Sequence, residues 1–267
     1  LAGTIDGGLG RDSFSNDLYS KVELTDNLNL IGFTSAGLYV TDTTDKVVHF
    51  TQNEANGEGH YTIGGKILGD DSRVIIDNNT TSPYYMDFAK ASEISHIEAN
   101  GGWNSVRLFG SNKVGDITIN SNNGGEFYTY APNNRISGDI NLTEDSSRRY
   151  NFNMNGKNEV DGNINLNFTK EELDPNINWH WDVKYFTESY AKNVVIKGAN
   201  DSQKTDLHNV SITSGKNSML AMDLNYLNVD GNLNVNSHGR NNFTFYNTVV
   251  TGDLNVASGD TDLAYAM

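Results

Sequence analysis

A short sequence motif, here called the phrase, recurs along the chain. It consists of an aliphatic residue, one spacer residue, a glycine, an Asp or Asn residue, and then two aliphatic residues separated by one polar residue. Its copies are Ile136–Leu142, Val160–Leu166, Val229–Val235 and Val250–Val256, with a shortened copy at Val114–Ile119. Their glycines, at 115, 138, 162, 231 and 252, are separated by 23, 24, 69 and 21 residues. Because 69 is three times 23, two degenerate copies are expected in the long gap, with Val194–Ile196 and Val210–Ile212 as candidates.

A second alternating segment follows within the period, at Phe127–Tyr130, Tyr150–Met154 and Phe243–Phe245. Alternation points every second side chain inward, which is typical of half-buried strands. Asn, Gly, Ser and Asp clusters separate the segments and favour tight turns. One coil cannot bury its own apolar face, so coils must stack, and Asn side chains at matched turn positions can form ladders. The pattern predicts an all-β chain folded as a right-handed parallel β-helix with coils of about 21–24 residues.

The repeat divides the chain into two parts. Residues 113–267 carry the regular phrases and are predicted to form regular β-solenoid coils. Residues 1–112 have strand-like segments such as Val22–Leu24 and Val74–Ile76 between turn residues, so we expect an irregular N-terminal part of the same solenoid.

Composition supports a thin core and excludes several partners. Only 36% of residues are hydrophobic and 26 are glycine, which does not suit one thick globular core. The formal charge of −15 repels nucleic acid and anionic membrane surfaces. The absence of cysteine excludes disulfides, thiolate metal sites and cysteine nucleophiles, and it suits export. No signal peptide or membrane-spanning run is visible, so these are expected elsewhere. Because the chain begins at Leu1 and ends at Met267 in mid-pattern, we expect it to be a piece of a longer protein.

The recurring Gly-(Asp/Asn)-(Ile/Leu)-x-(Leu/Val) phrase, in an acidic, Asn-rich chain without cysteine, resembles passenger domains of bacterial autotransporters, both adhesins and vacuolating cytotoxin-like toxins. The resemblance covers residues 113–267 well and 1–112 loosely, and no catalytic motif of the family is matched. It implies a stalk-like protein at the bacterial cell surface or secreted from it. The membrane anchor of such a protein is a C-terminal barrel that this chain does not contain.

One long break in the repeat, predicted as an aromatic insertion at 168–190, is the first binding-site candidate. Its aromatic and imidazole side chains are Trp179, His180, Trp181, Tyr185, Phe186 and Tyr190. As a projecting loop, the segment would offer the aromatic surface that anchors protein interfaces and stacks on sugars. Alternatively, the two tryptophans pack inward and plug a widened coil.

A second candidate is a calcium site at Gly7–Phe14, which matches the Gly-Gly-x-Gly-x-Asp nonapeptide of calcium-binding β-rolls and makes Asp12 the candidate ligand. Calcium prefers six to eight oxygen ligands, which stacked copies of the nonapeptide on neighbouring turns supply together. Because this chain has a single copy, the segment is more typical of a glycine-rich turn. The 6 histidines show no metal-ligand spacing, and neither a metal nor a cofactor is expected.

These observations predict a protein that is not an enzyme. The first hypothesis is an adhesin or binding module and rigid stalk, which recognises a host receptor, a glycan or another copy of itself through a loop or a coil face. The alternatives are an oligomerising toxin subunit, and a polysaccharide lyase or hydrolase on a β-helix. Asp70–Asp71 and His238–Arg240 resemble a polygalacturonase site, but they lie too many coils apart to act on one bond.

Overall fold

The computed structural model describes residues 1–8, 10–16, 19–53, 58–170, 192–215 and 219–259. Over these ranges the chain is all-β, with 26 strands that pair in parallel and wind into a solenoid of about 10 turns. The predicted all-β parallel solenoid is therefore confirmed. The described residues form no helix, so none of them belongs to a helix that could cross a membrane.

The strands in chain order are β1 (Gly3–Asp6), β2 (Asp12–Ser15), β3 (Leu28–Ile31), β4 (Phe33–Tyr39), β5 (Thr43–Thr44), β6 (Val47–Gln52), β7 (Gly59–Gly64), β8 (Lys66–Leu68), β9 (Arg73–Phe88), β10 (Glu93–Leu108), β11 (Lys113–Ser121), β12 (Gly125–Thr129) and β13 (Arg135–Ile136). The second half comprises β14 (Ile140–Glu144), β15 (Tyr150–Asn155), β16 (Glu159–Val160), β17 (Ile164–Phe168), β18 (Lys192–Lys197), β19 (Thr205–Leu207), β20 (Val210–Ser214), β21 (Met219–Asn225), β22 (Leu227–Val229), β23 (Leu233–Ser237), β24 (Arg240–Tyr246), β25 (Val249–Val250) and β26 (Leu254–Ser258).

Each full turn contributes strands to three ladders. Ladder A runs through β1, β3, β6, the start of β9, the middle of β10, β11, β14, β17, β20, β23 and β26. Ladder B runs through β2, β4, β7, the ends of β9 and β10, β12, β15, β18, β21 and β24. The short ladder C runs through β5, β8, the starts of β10 and β11, β13, β16, β19, β22 and β25.

The core is a column of stacked apolar side chains from successive turns. In ladder A, Ile117, Ile140 and Ile164 occupy one register position and are all fully buried. In ladder B, the rings of Phe127 and Phe152 stack with centroids 4.9 Å apart. Similar side chains of successive turns thus stack directly on one another, at the distance that separates neighbouring strands. This stacking gives the thin core that the composition predicts.

The Gly-(Asp/Asn) pair of the repeated phrase forms the corner between ladders C and A. Asp116 Oδ1 accepts a hydrogen bond from the backbone N–H of Asp139 at 2.8 Å, and Asp139 Oδ1 accepts one from Asn163 N–H at 2.7 Å. A side chain at Gly162 would place its Cβ 2.3 Å from the carbonyl oxygen of Gly138. The glycine therefore permits close approach of two turns, and the following Asp or Asn hydrogen-bonds the next turn.

A buried amide ladder stabilises the corner between ladders B and C. Asn112, Asn134 and Asn158 are each 1% exposed. The Nδ2 of Asn112 donates to Asn134 Oδ1 at 3.2 Å, and the Nδ2 of Asn134 donates to Asn158 Oδ1 at 3.0 Å. This confirms that Asn side chains at matched turn positions form ladders.

The turns are less uniform than predicted. Register partners on neighbouring rungs are 20 to 28 residues apart, except across the long break in the repeat, where they are 42, 46 and 47 residues apart in ladders B, A and C. Val210–Ile212 is the next copy of the phrase, because Val210 pairs directly with Ile164. The expectation of a second copy at Val194–Ile196 is wrong: Val194 pairs with Phe152 in ladder B. Ile164 and Val210 therefore lie on adjacent rungs although 46 residues separate them.

Candidate functional site

Outward side chains of ladder B form an aromatic and ionic cluster on four successive turns. Because side chains alternate along the strands, Tyr84, Met86 and Phe88 point into the core while the residues between them face outward. We call the outward cluster the face patch; it consists of His60, Tyr85, Asp87, Trp103, Arg107, Phe109, Tyr128 and Tyr130.

An ion pair lies at the centre of the face patch. Asp87 and Arg107 are register partners on β9 and β10, and Arg107 Nε donates to Asp87 Oδ1 at 2.6 Å. The side chains are only 14% (Arg107) and 23% (Asp87) exposed. Burial raises the pKa of the Asp87 carboxyl, and the neighbouring guanidinium opposes that rise. The pair is thus largely removed from solvent.

Aromatic rings flank this ion pair on one side. His60 and Tyr85 stack with centroids 4.7 Å apart and an interplanar angle of 14°. Trp103 meets Tyr85 edge-on at 5.3 Å. The guanidinium of Arg107 lies 4.4 Å from the centre of the Tyr85 ring, within the range of a cation–π contact.

A second ring group lies on the other side of Arg107. Phe109 and Tyr130 stack at 5.0 Å and are nearly parallel, at 7°. Tyr128 packs against Tyr130 at 5.3 Å, and Arg107 lies 5.8 Å from the Tyr130 ring centre. Phe109 is 38% exposed and Tyr130 is 50% exposed. These two rings are the exposed large hydrophobic residues of the patch, and the side chain of His60 is 54% exposed as well.

Carboxylates set the electrostatics of the face patch. Glu126 accepts a hydrogen bond from Ser105 Oγ at 2.7 Å. The pKa of Tyr85 is raised, first by burial and then by Glu58 and Glu126, and the pKa of Tyr128 is raised by burial and by Glu126. Burial is the largest cause of both shifts, the carboxylates add to it, and Arg107 opposes the shift of Tyr85 while Arg149 opposes that of Tyr128.

A groove of about 570 Å³ lies elsewhere, at the corner between ladders C and A. Its lining includes Asp70, Glu93, His96, Lys113 and Arg135 above a floor that contains Gly115. Lys113 Nζ is 3.4 Å from Glu93, and His96 Nδ1 is 3.1 Å from Asp116. β10 and β11 run uninterrupted through this corner, whereas the chain turns at 69–72 on one side of the groove and at 137–139 on the other. The groove therefore brings together carboxylates and basic groups from four turns.

The predicted aromatic insertion is located only in part. Trp179, His180, Trp181, Tyr185, Phe186 and Tyr190 lie outside the described residues, so their role in binding stays a prediction. Phe168, its expected first residue, is the last residue of β17 and is 1% exposed. Ladder A thus ends in this turn of the solenoid at Phe168, and the next described strand, β18 of ladder B, begins at Lys192.

A buried ion pair adjoins this insertion. Lys192 begins β18, and its Nζ contacts Glu144 Oε2 and donates to the carbonyl oxygen of Ser146 at 2.9 Å. The side chains of Lys192 and Glu144 are 3% and 0% exposed. Burial raises the pKa of Glu144 and lowers that of Lys192, and each partner opposes the shift of the other.

The calcium candidate Asp12 begins β2, next to the glycine-rich segment. The N–H of Gly8 donates to Asp6 Oδ1 at 2.8 Å, and Gly8 has a φ of 76°. Among the residues that the structure describes, no three His, Cys, Asp or Glu side chains are grouped as a metal site requires. The described geometry is that of a turn between β1 and β2.

The face patch was not predicted, although part of its signal is visible in the sequence. The segment Phe127–Tyr130 alternates, so Tyr128 and Tyr130 are on the outward face once Phe127 is placed inside. Their proximity to Tyr85 and Arg107 depends on the register between turns.

Comparison with protein-family models, with curated proteins and with solved structures finds no match for this chain. The fold places the chain in the class of parallel β-solenoids. Its outer faces carry polar and aromatic side chains, such as those of the face patch.

Proposed function

We propose that this protein is a cell-surface or secreted binding module that also serves as a rigid stalk, as the resemblance to autotransporter passengers implies. The face patch is its contact surface. The proposed partner is a host receptor, a glycan or another copy of the chain. The proposal covers both an adhesin and a toxin-type passenger, since each would use such a surface.

The single observation that carries the proposal is the face patch itself. Aromatic side chains and arginine are the residues that most often dominate recognition surfaces. Here Arg107 is held between Tyr85 and Tyr130, while Phe109 and Tyr130 keep 38% and 50% of their surface in solvent. The ladder bonds beneath the patch hold these groups in place, so little ordering entropy is lost on binding.

A binding comparison tests the proposal. The purified chain and the double variant Phe109→Ala/Tyr130→Ala are applied to host cells and to a glycan panel. We expect binding by the parent chain and its loss in the double variant, because both truncated side chains are exposed and the core beneath them is intact. Tyr246→Ala is the matched control, since Tyr246 is 55% exposed and lies outside the patch. A variant with Trp179→Ala and Trp181→Ala tests the insertion in parallel; if it alone lost binding, recognition would be assigned to the insertion and not to the patch.

The second candidate function is a polysaccharide hydrolase or lyase, and the groove favours it. Such an enzyme needs clustered carboxylates and a basic residue on one surface, and the groove contains Asp70, Glu93, His96 and Lys113. Depolymerisation of a polysaccharide panel by the parent chain, abolished in Glu93→Gln, would support this function.

A further inference from the structure

We infer that the ligand of the face patch is an uncharged glycan chain; this inference rests on the function proposed above and names the chemical class of its ligand. The charge, the ring contacts and the hydrogen-bonding groups of the patch each bear on that class.

The cation of the patch is already engaged. Arg107 is bonded to Asp87 at 2.6 Å and its side chain is 14% exposed. A ligand carboxylate or sulfate would have to displace Asp87 to reach the guanidinium, which would leave a largely buried carboxylate unpaired. The patch therefore lacks the accessible bidentate cation by which proteins usually recognise anionic groups.

The surrounding carboxylates also oppose an anionic ligand. Glu126 lies on the turn after Arg107, and Glu58 is 62% exposed beside His60. Burial raises the pKa of Tyr85 most, and both carboxylates raise it further, whereas Arg107 opposes the shift. The whole chain carries a formal charge of −15, which adds long-range repulsion of polyanions.

A cationic ligand finds its best positions occupied. Cations bind over the faces of aromatic rings, and Arg107 already lies over Tyr85 and near Tyr130, at 4.4 Å and 5.8 Å. The second face of Tyr85 is stacked on His60. A second cation at either ring would be brought close to the Arg107 guanidinium and would be repelled by it.

An uncharged sugar suits what remains. The exposed parts of Phe109 and Tyr130 supply apolar ring surface, which packs against the C–H groups of a sugar ring. On the following turn, Asn151 and Asn153 are the register partners of Glu126 and Tyr128. The amide oxygen of Asn151 accepts hydrogen bonds from Arg149 and Asn193, and that of Asn153 accepts one from Asn155. Amide groups both donate and accept hydrogen bonds. Sugar hydroxyls also do both. The rungs repeat along the solenoid axis, so an extended chain of sugars has a continuous surface to follow.

A protein partner is less well matched. Stable protein interfaces bury a sizeable apolar centre on each side. Within the face patch, Phe109 and Tyr130 are the large hydrophobic residues that are exposed, and charged and amide groups surround them.

The test measures the affinity of the purified chain for immobilised oligosaccharides of three kinds: uncharged glucans, mannans and galactans; anionic sialylated, sulfated and uronic acid glycans; and cationic chitosan oligosaccharides. We expect binding to an uncharged glycan that persists at high salt. In Phe109→Ala/Tyr130→Ala the affinity should fall by about tenfold or more, since truncating a central aromatic residue commonly costs that much. Tyr246→Ala should bind as the parent does. Circular dichroism shows whether each variant keeps its β-structure.

Each other outcome overturns a specific statement. Binding could depend on the patch and yet be restricted to anionic or cationic glycans, or to a deglycosylated protein. That result refutes the inference that the ligand is an uncharged glycan and leaves the proposed function intact. Binding of any ligand that is the same in the folded double variant refutes the patch as the contact surface, and with it both proposals. If the parent chain bound no member of the panel and no host cells, both proposals would be wrong.

Discussion

Replacing Lys192 with methionine removes the positive charge that faces Glu144 inside the solenoid. Methionine fills a similar volume, so the main effect is electrostatic. Glu144 is 0% exposed and would keep only the hydrogen bonds from Ser146 and the Gly124 backbone. Breaking a buried ion pair by removing one partner costs about 3–5 kcal/mol, because a buried charge is left uncompensated. We expect Lys192→Met to lose that much stability at neutral pH.

The loss should depend on pH in a defined direction. Burial already raises the pKa of Glu144 in the folded chain, and removal of Lys192 raises it further. Below the unfolded-state pKa, about 4.3 for glutamate, the carboxyl is protonated in both states and carries no charge penalty. As the pH rises through the raised folded-state pKa, the folded protein must ionise a buried group and loses stability. The destabilisation of Lys192→Met is therefore smallest near the acid end and reaches its full value at neutral pH.

Urea unfolding followed by circular dichroism at several pH values measures this effect. The double variant Glu144→Gln/Lys192→Met is the control, because its other carboxylates titrate as in the single variant while position 144 does not. We expect the double variant to recover most of the lost stability at neutral pH and the two variants to converge on acidification. A single variant as stable as the parent chain, or a difference between the variants that does not change with pH, would refute the reasoning.

Three further substitutions probe the ladders by the same unfolding measurement. Asn134→Leu should lose at least about 2 kcal/mol, since it orphans several buried groups, each worth about 1–3 kcal/mol; an unchanged midpoint would show that the amide ladder adds nothing. Asn104→Leu should gain about 1–3 kcal/mol, because neither side-chain atom of this buried residue has a hydrogen-bond partner among the described residues; destabilisation would contradict this. Gly162→Ala should lose about 1–3 kcal/mol of stability, because the added Cβ would clash with the Gly138 carbonyl oxygen. Gly37→Ala should be nearly neutral, since its Cβ would meet no atom closer than 3.5 Å. Equal effects of the two substitutions would contradict the argument that Gly162 permits close approach of two turns.

The repeated phrase was sufficient to predict the fold and much of ladder A. Each part of the phrase contacts the equivalent part of the adjacent turn: the glycine, the Asp or Asn, and the alternating aliphatic pair. Because these contacts recur at a nearly constant sequence separation, they appear in the sequence as a repeat. The second alternating segment at Phe127–Tyr130 and Tyr150–Met154 was predicted as a strand for the same reason, and it lies in ladder B.

The candidate site could be predicted only in fragments. Alternation placed Tyr128 and Tyr130 on an outward face, but their proximity to Arg107 and Tyr85 depends on how many residues each turn contains. That number varies between 20 and 28, and it is 42 to 47 across the break in the repeat that follows β17. The misplacement of Val194–Ile196 has the same origin, because a gap of three periods was divided equally when one turn was twice as long.

The sequence by itself determined the architecture: local alternation, turn residues and a recurring phrase require parallel coils that stack, since no coil can bury its apolar face alone. The tertiary structure decided which residues of different turns meet. The Lys192–Glu144 pair, the amide ladder and the face patch all bring together residues of different turns, and these contacts are set by strand register, which the length of each intervening turn controls.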